Sequence, residues 1–239
     1  MPLPPINYSF NPIGIIKSPF NEKFGIPRQP RLTPSIKSTL IFSTELGNHD
    51  ILDGLEQSSH LWLIFVFSEC YEKGWKAKVR PPRLGGNQKL GVFATRSPYR
   101  PNPIGISAVK IENIVSDKNG LRIEVSGADL LDGTPILDIK PYIPYSDAIN
   151  EATHEFAETF NLLGQPIFFS SQAQSACEQH LLDTGEKLSV IIEQVLRCDP
   201  RPAYHNNATR EYGITIYQWN VRWTINQQRI DILDISSLN

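Results

Sequence analysis

Three cysteines, one methionine and no long apolar run set the first limits on this chain of 239 residues. Cys70, Cys177 and Cys198 are odd in number and far apart, and no CxxC pair exists for zinc or dithiol chemistry. Reduced thiols are the simplest reading. The longest apolar run, residues 61–67, falls far short of the ~20 residues that a membrane helix needs. The N-terminus, MPLPPINYSFNP, has no basic stretch followed by an apolar core, so no secretory signal is read there. A net charge of −2 excludes a polybasic coat over the whole molecule, though not a local basic patch. Catalytic signatures are missing too. No GxGxxG opens a helix after a strand, and the glycine-rich LGGNQKLG at 84–91 lacks the GK[ST] ending of a phosphate loop. No GxSxG elbow surrounds Ser59 or Ser97. The five histidines, at 49, 60, 154, 180 and 205, show no HxxxH or HxH spacing, so no metal site is expected. What remains is a soluble, cytoplasmic protein without a membrane partner.

The chain is 40% hydrophobic and 20% charged, the balance of a protein with a packed core. From about residue 8 to 145 the pattern is short strands and Pro/Gly-rich turns. Residues 13–17 and 38–43 are short apolar runs, and 61–67 is continuous, aromatic and β-branched, as in a strand buried on both faces. Residues 109–114 and 121–125 alternate, and SDKNG between them supplies a hairpin turn. Such spacing predicts a small β-barrel or sandwich over residues 1–150. Residues 151–171 read as a linker, and 172–239 as a small α+β unit. In that unit 186–197 has helical spacing stopped by Pro200, while 217–225 alternates as a half-buried strand that pairs with 229–235. Tyr217, Trp219 and Trp223 fall on the buried face of that strand. The expected fold is therefore mainly β, a barrel followed by a small α+β domain.

Four segments exceed what a scaffold requires. They are FGIPRQP at 24–30, SHLW at 59–62, residues 80–105 and residues 129–145. Proline fixes φ and glycine permits positive φ, so loops built from both have little freedom left to lose. Rigid loops carrying arginine, asparagine and aspartate are how a scaffold presents a preorganised polar site.

Those segments closely resemble the TrmO (TsaA-like) family, carried by PRQP at 27–30, SHLW at 59–62, GVFATRSPYRPNPIG at 91–105 and DGTPILDIKPY at 132–142. DPRPAY at 199–204 and NVRW at 220–223 extend the likeness into the second unit; only 146–175 carries no family signal. The resemblance implies a seven-stranded barrel with a small C-terminal domain. It implies a homodimer with the cofactor near the dimer contact. It also implies S-adenosylmethionine-dependent methyl transfer to N6 of N6-threonylcarbamoyladenosine, beside the anticodon of tRNA. Carried over segment by segment, the cofactor-binding regions fall on Pro27, Arg28, Gln29, His60, Leu61, Arg96, Ile106, Asp129, Leu130, Leu131 and Asp132.

The chemistry adds its own demands. Methyl transfer from a sulfonium is an in-line displacement governed by positioning. The acceptor nitrogen still carries a proton, which a nearby group must take as the new bond forms. Asp138 is the first candidate acceptor, Tyr142 its orienting partner, and Asn102 a holder of the carbamoyl group. Against an anionic RNA, Arg80, Arg83, Arg100, Lys140, Arg201 and Arg222 are the phosphate-contact candidates, with Tyr99, Tyr142 or Tyr204 as stacking surfaces. The rival reading is a non-catalytic module that binds S-adenosylmethionine or a nucleoside and needs neither Asp138 nor the second unit's cations.

Overall fold

The computed structural model describes residues 7–46, 49–81, 88–155, 162–201 and 210–238. The first eight strands are β1 (Gly14–Lys17), β2 (Lys37–Phe42), β3 (His60–Val66), β4 (Lys78–Val79), β5 (Leu90–Gly91), β6 (Ile104–Asp117), β7 (Gly120–Ser126) and β8 (Pro135–Pro141). Six of them close into a barrel in the order β1-β2-β7-β6-β3-β8, with β8 returning to pair with β1 at Gly14↔Ile136. The expected seventh strand is not part of the ring, because that last pairing already removes both edges. The remaining two, β4 and β5, form a separate ribbon.

Closure also corrects the reading of 61–67. A barrel strand packs one face only, and β3 alternates accordingly. Leu61, Leu63 and Phe65 point into the core, whereas His60, Trp62, Ile64 and Val66 lie on the outer face, half-buried. The β6–β7 hairpin turns through residues 118–119, with Asp117 opposite Gly120. Gly120 has φ +106, and the Asn119 amide donates to the Asp117 carboxylate at 2.8 Å. Glycine and a local carboxylate cap thus satisfy the turn.

The second unit is a four-stranded sheet in the order β10-β11-β12-β9, formed by β9 (Ile167–Phe169), β10 (Tyr212–Ile216), β11 (Trp219–Ile225) and β12 (Ile230–Ser237). Residues 167–169, inside the stretch expected to be a linker, pair in parallel with β12. Short helices α1 (Ser68–Tyr71) and α2 (Pro144–Asp147) flank the barrel strands, while α3 (Ser171–Thr184) and α4 (Leu188–Arg197) belong with the second sheet. The expected helix at 186–197 is α4. The expected strand at 217–225 begins two residues later, because Tyr217 and Gln218 form the β10–β11 turn, with Tyr217 at φ +54. Trp223 is fully buried.

One contribution to the second core comes from far away in sequence. Phe20 and Ile36 are fully buried in it, with Phe24 and Ile26 packed alongside. The strap of residues 18–36 that joins β1 to β2 therefore lies against the C-terminal unit. Polar contacts pin it there. Tyr217 N donates to Pro19 O at 2.8 Å, Thr215 N to the Glu22 carboxylate at 2.8 Å, and Ser35 N to the Gln194 side-chain oxygen at 3.0 Å.

Candidate active site

A cavity of about 420 Å³ opens beside one end of the barrel, inside the range of roughly 300–1,000 Å³ typical of small-molecule sites. Four stretches of chain form its walls. The strap supplies Ile26, Pro27, Arg28 and Gln29. The end of β3 and the start of α1 supply Phe65, Phe67 and Cys70. The loop before β6 supplies Thr95, Arg96 and Arg100, and β6 with the loop after β7 supplies Ile106, Ser107, Asp129, Leu130 and Leu131. Phe65 and Phe67 pack edge to face at 5.1 Å, and Gly105 leaves room for both rings.

Polar side chains line much of the cavity, and several are held by other parts of the chain. Ser107 lies on the inward register of β6, is almost fully buried, and donates to the Asp129 carboxylate at 2.6 Å. Burial pushes the Asp129 carboxyl above its ordinary value of 3.8, although the Ser107 hydroxyl, its own amide and nearby Arg96 each oppose the shift. Arg96 donates to the Gln29 side-chain oxygen, tying the loop before β6 to the strap. Arg28 reaches the Arg201 carbonyl at 3.3 Å, tying the strap to the end of α4. The outer side chain of this corner, Asp132, faces away. It accepts from Lys17 at 3.1 Å and from the Ser18 amide at 2.9 Å, which anchors the start of the strap.

Of the expected cofactor residues, Pro27, Arg28, Gln29, Arg96, Ile106, Asp129, Leu130 and Leu131 converge on the cavity. His60, Leu61 and Asp132 do not. Leu61 is fully buried in the barrel core, and His60 sits at the far end of β3, its ring 2.9 Å from the Ser59 hydroxyl. From Phe65 to His60 is five strand residues, about 17 Å at ~3.4 Å per residue.

The three expected catalytic residues are not gathered. Asp138 lies on the outer face of β8, opposite Ile64, and pairs with Lys140 at 2.8 Å. Ile64 in turn pairs with Ile106, so Asp138 stands two strand spacings, about 9.5 Å, from the lining residue Ile106 and one spacing from β3, whose C-terminal end also lines the cavity. Tyr142 packs on Trp62 at 5.3 Å between ring centroids. Asn102 is exposed on the loop before β6, and its carbonyl accepts from Ile104 N at 2.8 Å.

Most expected RNA contacts are engaged within the protein. Arg201 forks onto Asp199 at 2.7 and 3.0 Å, a hydrogen-bonded pair that holds its pKa above the ordinary arginine value. Arg222 pairs with Glu211 at 2.9 Å and Asp234 at 3.5 Å. Arg100 lines the cavity and donates to the Thr95 carbonyl at 2.7 Å. Arg80 is exposed, and Arg83 and Tyr204 lie outside the described residues. Among the described residues no cluster of His, Cys, Asp and Glu is arranged to hold a metal, and no helix is long and apolar enough to cross a membrane.

Phe65, Phe67 and Ser107 were not singled out by the sequence reading. A signal for Ser107 existed, a hydroxyl at an inward strand position between Gly105 and Val109, where burial demands a partner.

With this geometry in place, comparison with known proteins decides the relationship. Residues 15–148 match the family model described as the tRNA-methyltransferase O N-terminal domain, and residues 165–238 match the TrmO C-terminal domain. The chain belongs to the TrmO family. It is 38% identical over 231 residues to the tRNA (adenine(37)-N6)-methyltransferase of Escherichia coli K12, covering 95% of this chain and 97% of that one. A Pseudomonas aeruginosa protein named as a putative S-adenosylmethionine-dependent methyltransferase is 45% identical over 219 residues, 91% of this TrmO-family chain and 93% of the relative. The crystal structure of TrmO from Pseudomonas aeruginosa superposes with a TM-score of 0.79 at 37% identity, covering 97% of this chain and 100% of that one.

Proposed function

We propose that this protein is an S-adenosylmethionine-dependent tRNA methyltransferase acting on N6 of the adenine at position 37, with N6-threonylcarbamoyladenosine as the nucleoside it takes. The observation that carries the reading is the convergence of eight family-matched residues on one cavity, in a chain similar over nearly its full length to a tRNA (adenine(37)-N6)-methyltransferase.

The residues present fit the cofactor. Asp129 is a carboxylate whose charge is disfavoured by burial and only partly offset, so a bound cation restores what burial removed. Phe65 and Phe67 offer aromatic surface to a sulfonium or an adenine. Arg96 and Arg28 carry forks suited to an amino-acid carboxylate. When bound, S-adenosylmethionine supplies a methyl group activated by its positive sulfur. The protein's part is to orient the two reactants and to exclude water, and the walls of the cavity do this largely through backbone-anchored loops.

Proton removal from N6 is the open role. Asp138 faces the outer side of β8 rather than its own cavity. That outer face is apolar for an exposed surface. Ile104 and Ile106 are 40% and 52% exposed and continue the row of Ile64 and Trp62. We infer that this face of β6, β3 and β8 is where two copies meet, which would place Asp138 and Tyr142 at the contact beside a cavity. Ile64→Glu should convert the dimer to a monomer in analytical ultracentrifugation; a wild-type monomer would remove the idea.

The deciding experiment is methyl transfer to tRNA that carries threonylcarbamoyl-modified adenosine, compared with the unmodified transcript. Turnover on the modified RNA supports the reading, and cofactor binding without turnover supports a binding module instead. Asp138→Asn should abolish turnover while sparing cofactor affinity, and unchanged turnover would take Asp138 out of the mechanism. A cytoplasmic location is the one that fits a tRNA substrate.

A further inference from the structure

Beside the Arg100 wall of the cavity stands an exposed aromatic side chain that belongs to neither core, and a second lies on a segment hydrogen-bonded to the same loop. Phe93 lies on a one-turn 3-10 segment, Val92–Ala94, and is 75% exposed, while its neighbour Val92 is buried. Val92 fixes the turn, so Phe93 is held outward rather than left loose. One face of its ring has the Arg100 guanidinium 5.4 Å from the centroid. That guanidinium is itself fixed by the Thr95 and Val92 carbonyls, at 2.7 and 3.3 Å, and Arg100 lines the cavity. Trp75 is the second, 59% exposed. Its segment is tied to the same loop, with Lys76 N donating to Tyr99 O at 3.1 Å, Val92 N donating to Ala77 O at 3.0 Å, and the Lys76 ammonium 4.5 Å above the Tyr99 ring.

Single exposed aromatics need no explanation. These two differ because they share one tied unit and are interleaved with charge of one sign. Between residues 71 and 80, Lys73, Lys76, Lys78 and Arg80 are all exposed against one carboxylate, Glu72. Aromatic faces beside a row of cations are how proteins hold unstacked bases on an anionic backbone.

We propose that Phe93, backed by Arg100, is a stacking platform for the nucleotide next to the one being methylated, with Trp75 and the 73–80 cations carrying the RNA strand onward. This rests on the reading of the chain as a tRNA methyltransferase. It goes further by naming the side chains that splay the anticodon loop. A base parked on the open face of Phe93 leaves its neighbour at the cavity mouth, and every base has a face suited to it, so the contact adds hold without reading sequence.

The test uses the full-length protein and an anticodon stem-loop with 2-aminopurine immediately 3′ of the target adenosine. Wild type should quench the probe on binding. Phe93→Ala should lose the quench and weaken RNA binding about tenfold, the loss expected for one stacked base. Phe93→Trp should restore both, and S-adenosylmethionine affinity should stay within about twofold in both variants, since no proposed cofactor contact changes. Unchanged RNA affinity in Phe93→Ala overturns the proposal. So does no RNA binding by wild type, or a change of oligomeric state in the variant, which would assign Phe93 to contact with a second copy. Failure of the methyltransferase reading looks different: the probe is quenched and Phe93-dependent, yet modified tRNA gains no methyl group.

Discussion

Asp129 carries the clearest physical signature of the cavity. Its carboxyl is raised above 3.8, with burial the largest cause, so its ionisation costs the fold stability. The sign follows from linkage. Below the ordinary value both folded and unfolded chains hold the proton and nothing is lost; as pH rises through the raised value, the folded state loses stability relative to the unfolded one. A cation in the cavity reverses that preference, because it favours the ionised form. S-adenosylmethionine affinity should therefore fall on acidification with a midpoint above 3.8, read by calorimetric titration across pH. Asp129→Asn should weaken binding by about 1.5–3 kcal/mol, the worth of a charged hydrogen bond, and flatten that pH dependence. At Gly105 the constraint is steric. An added Cβ would sit 2.3 Å from Phe65 Cζ and 2.9 Å from Phe67 Cζ, both rings being walls of the cavity. Gly105→Ala should cost about 1–3 kcal/mol in a denaturant melt and disturb cofactor binding with it. Arg201 yields a different expectation. Its fork is taken by Asp199, so Arg201→Ala should lower thermal stability and leave the salt dependence of RNA binding unchanged. A phosphate contact would instead reduce that slope by about one.

The strap of residues 18–36 is the element on which the site depends most. It leaves the barrel at β1, packs Phe20 and Ile36 into the other core, and on the way presents Pro27, Arg28 and Gln29 to the cavity. Its anchor at each end is polar, at Asp132 and Tyr217 where it begins and at Gln194 where it ends. Phe20→Ala removes a fully buried ring, a change that typically costs about 3–5 kcal/mol. Because the strap forms one wall, cofactor affinity measured under native conditions should fall together with the denaturant midpoint. Preserved affinity in a folded Phe20→Ala protein would show that the wall holds its shape without this anchor. The strap also shows why strands were easier to read than connections. Strand alternation in 121–125 follows from one packed face, whereas FGIPRQP reveals a stiff loop without saying which surface it lies on. Helix α3 went unread for a related reason, since its sequence SQAQSACEQHLLDT has little apolar periodicity and buries only Ala173 and His180.

At the scale of the molecule, the cavity is lined from the first part of the chain alone, and the C-terminal unit bears on it by supporting the strap that forms one wall. Deleting residues 162–239 leaves the closed ring of six strands but strips the strap of its support and exposes Phe20 and Ile36. The truncated chain should lose S-adenosylmethionine binding even where circular dichroism still reports β structure; retained affinity would assign the C-terminal unit to RNA alone.

The amino-acid sequence by itself determined the mainly β class, the β6–β7 turn, the α4 helix and the loops that carry the site, because alternation, turn chemistry and proline-braced motifs act over a few residues. Eight of the residues that the family resemblance assigns to the cofactor line one cavity, because the motifs that carry the resemblance are those same short, stiff segments. Only the tertiary structure decided that His60 and Leu61 lie away from the cavity, that Asp138 faces outward, and that Arg201 and Arg222 are already paired. Those outcomes depend on which distant segments meet when the barrel closes and the strap docks, and no local pattern encodes that meeting.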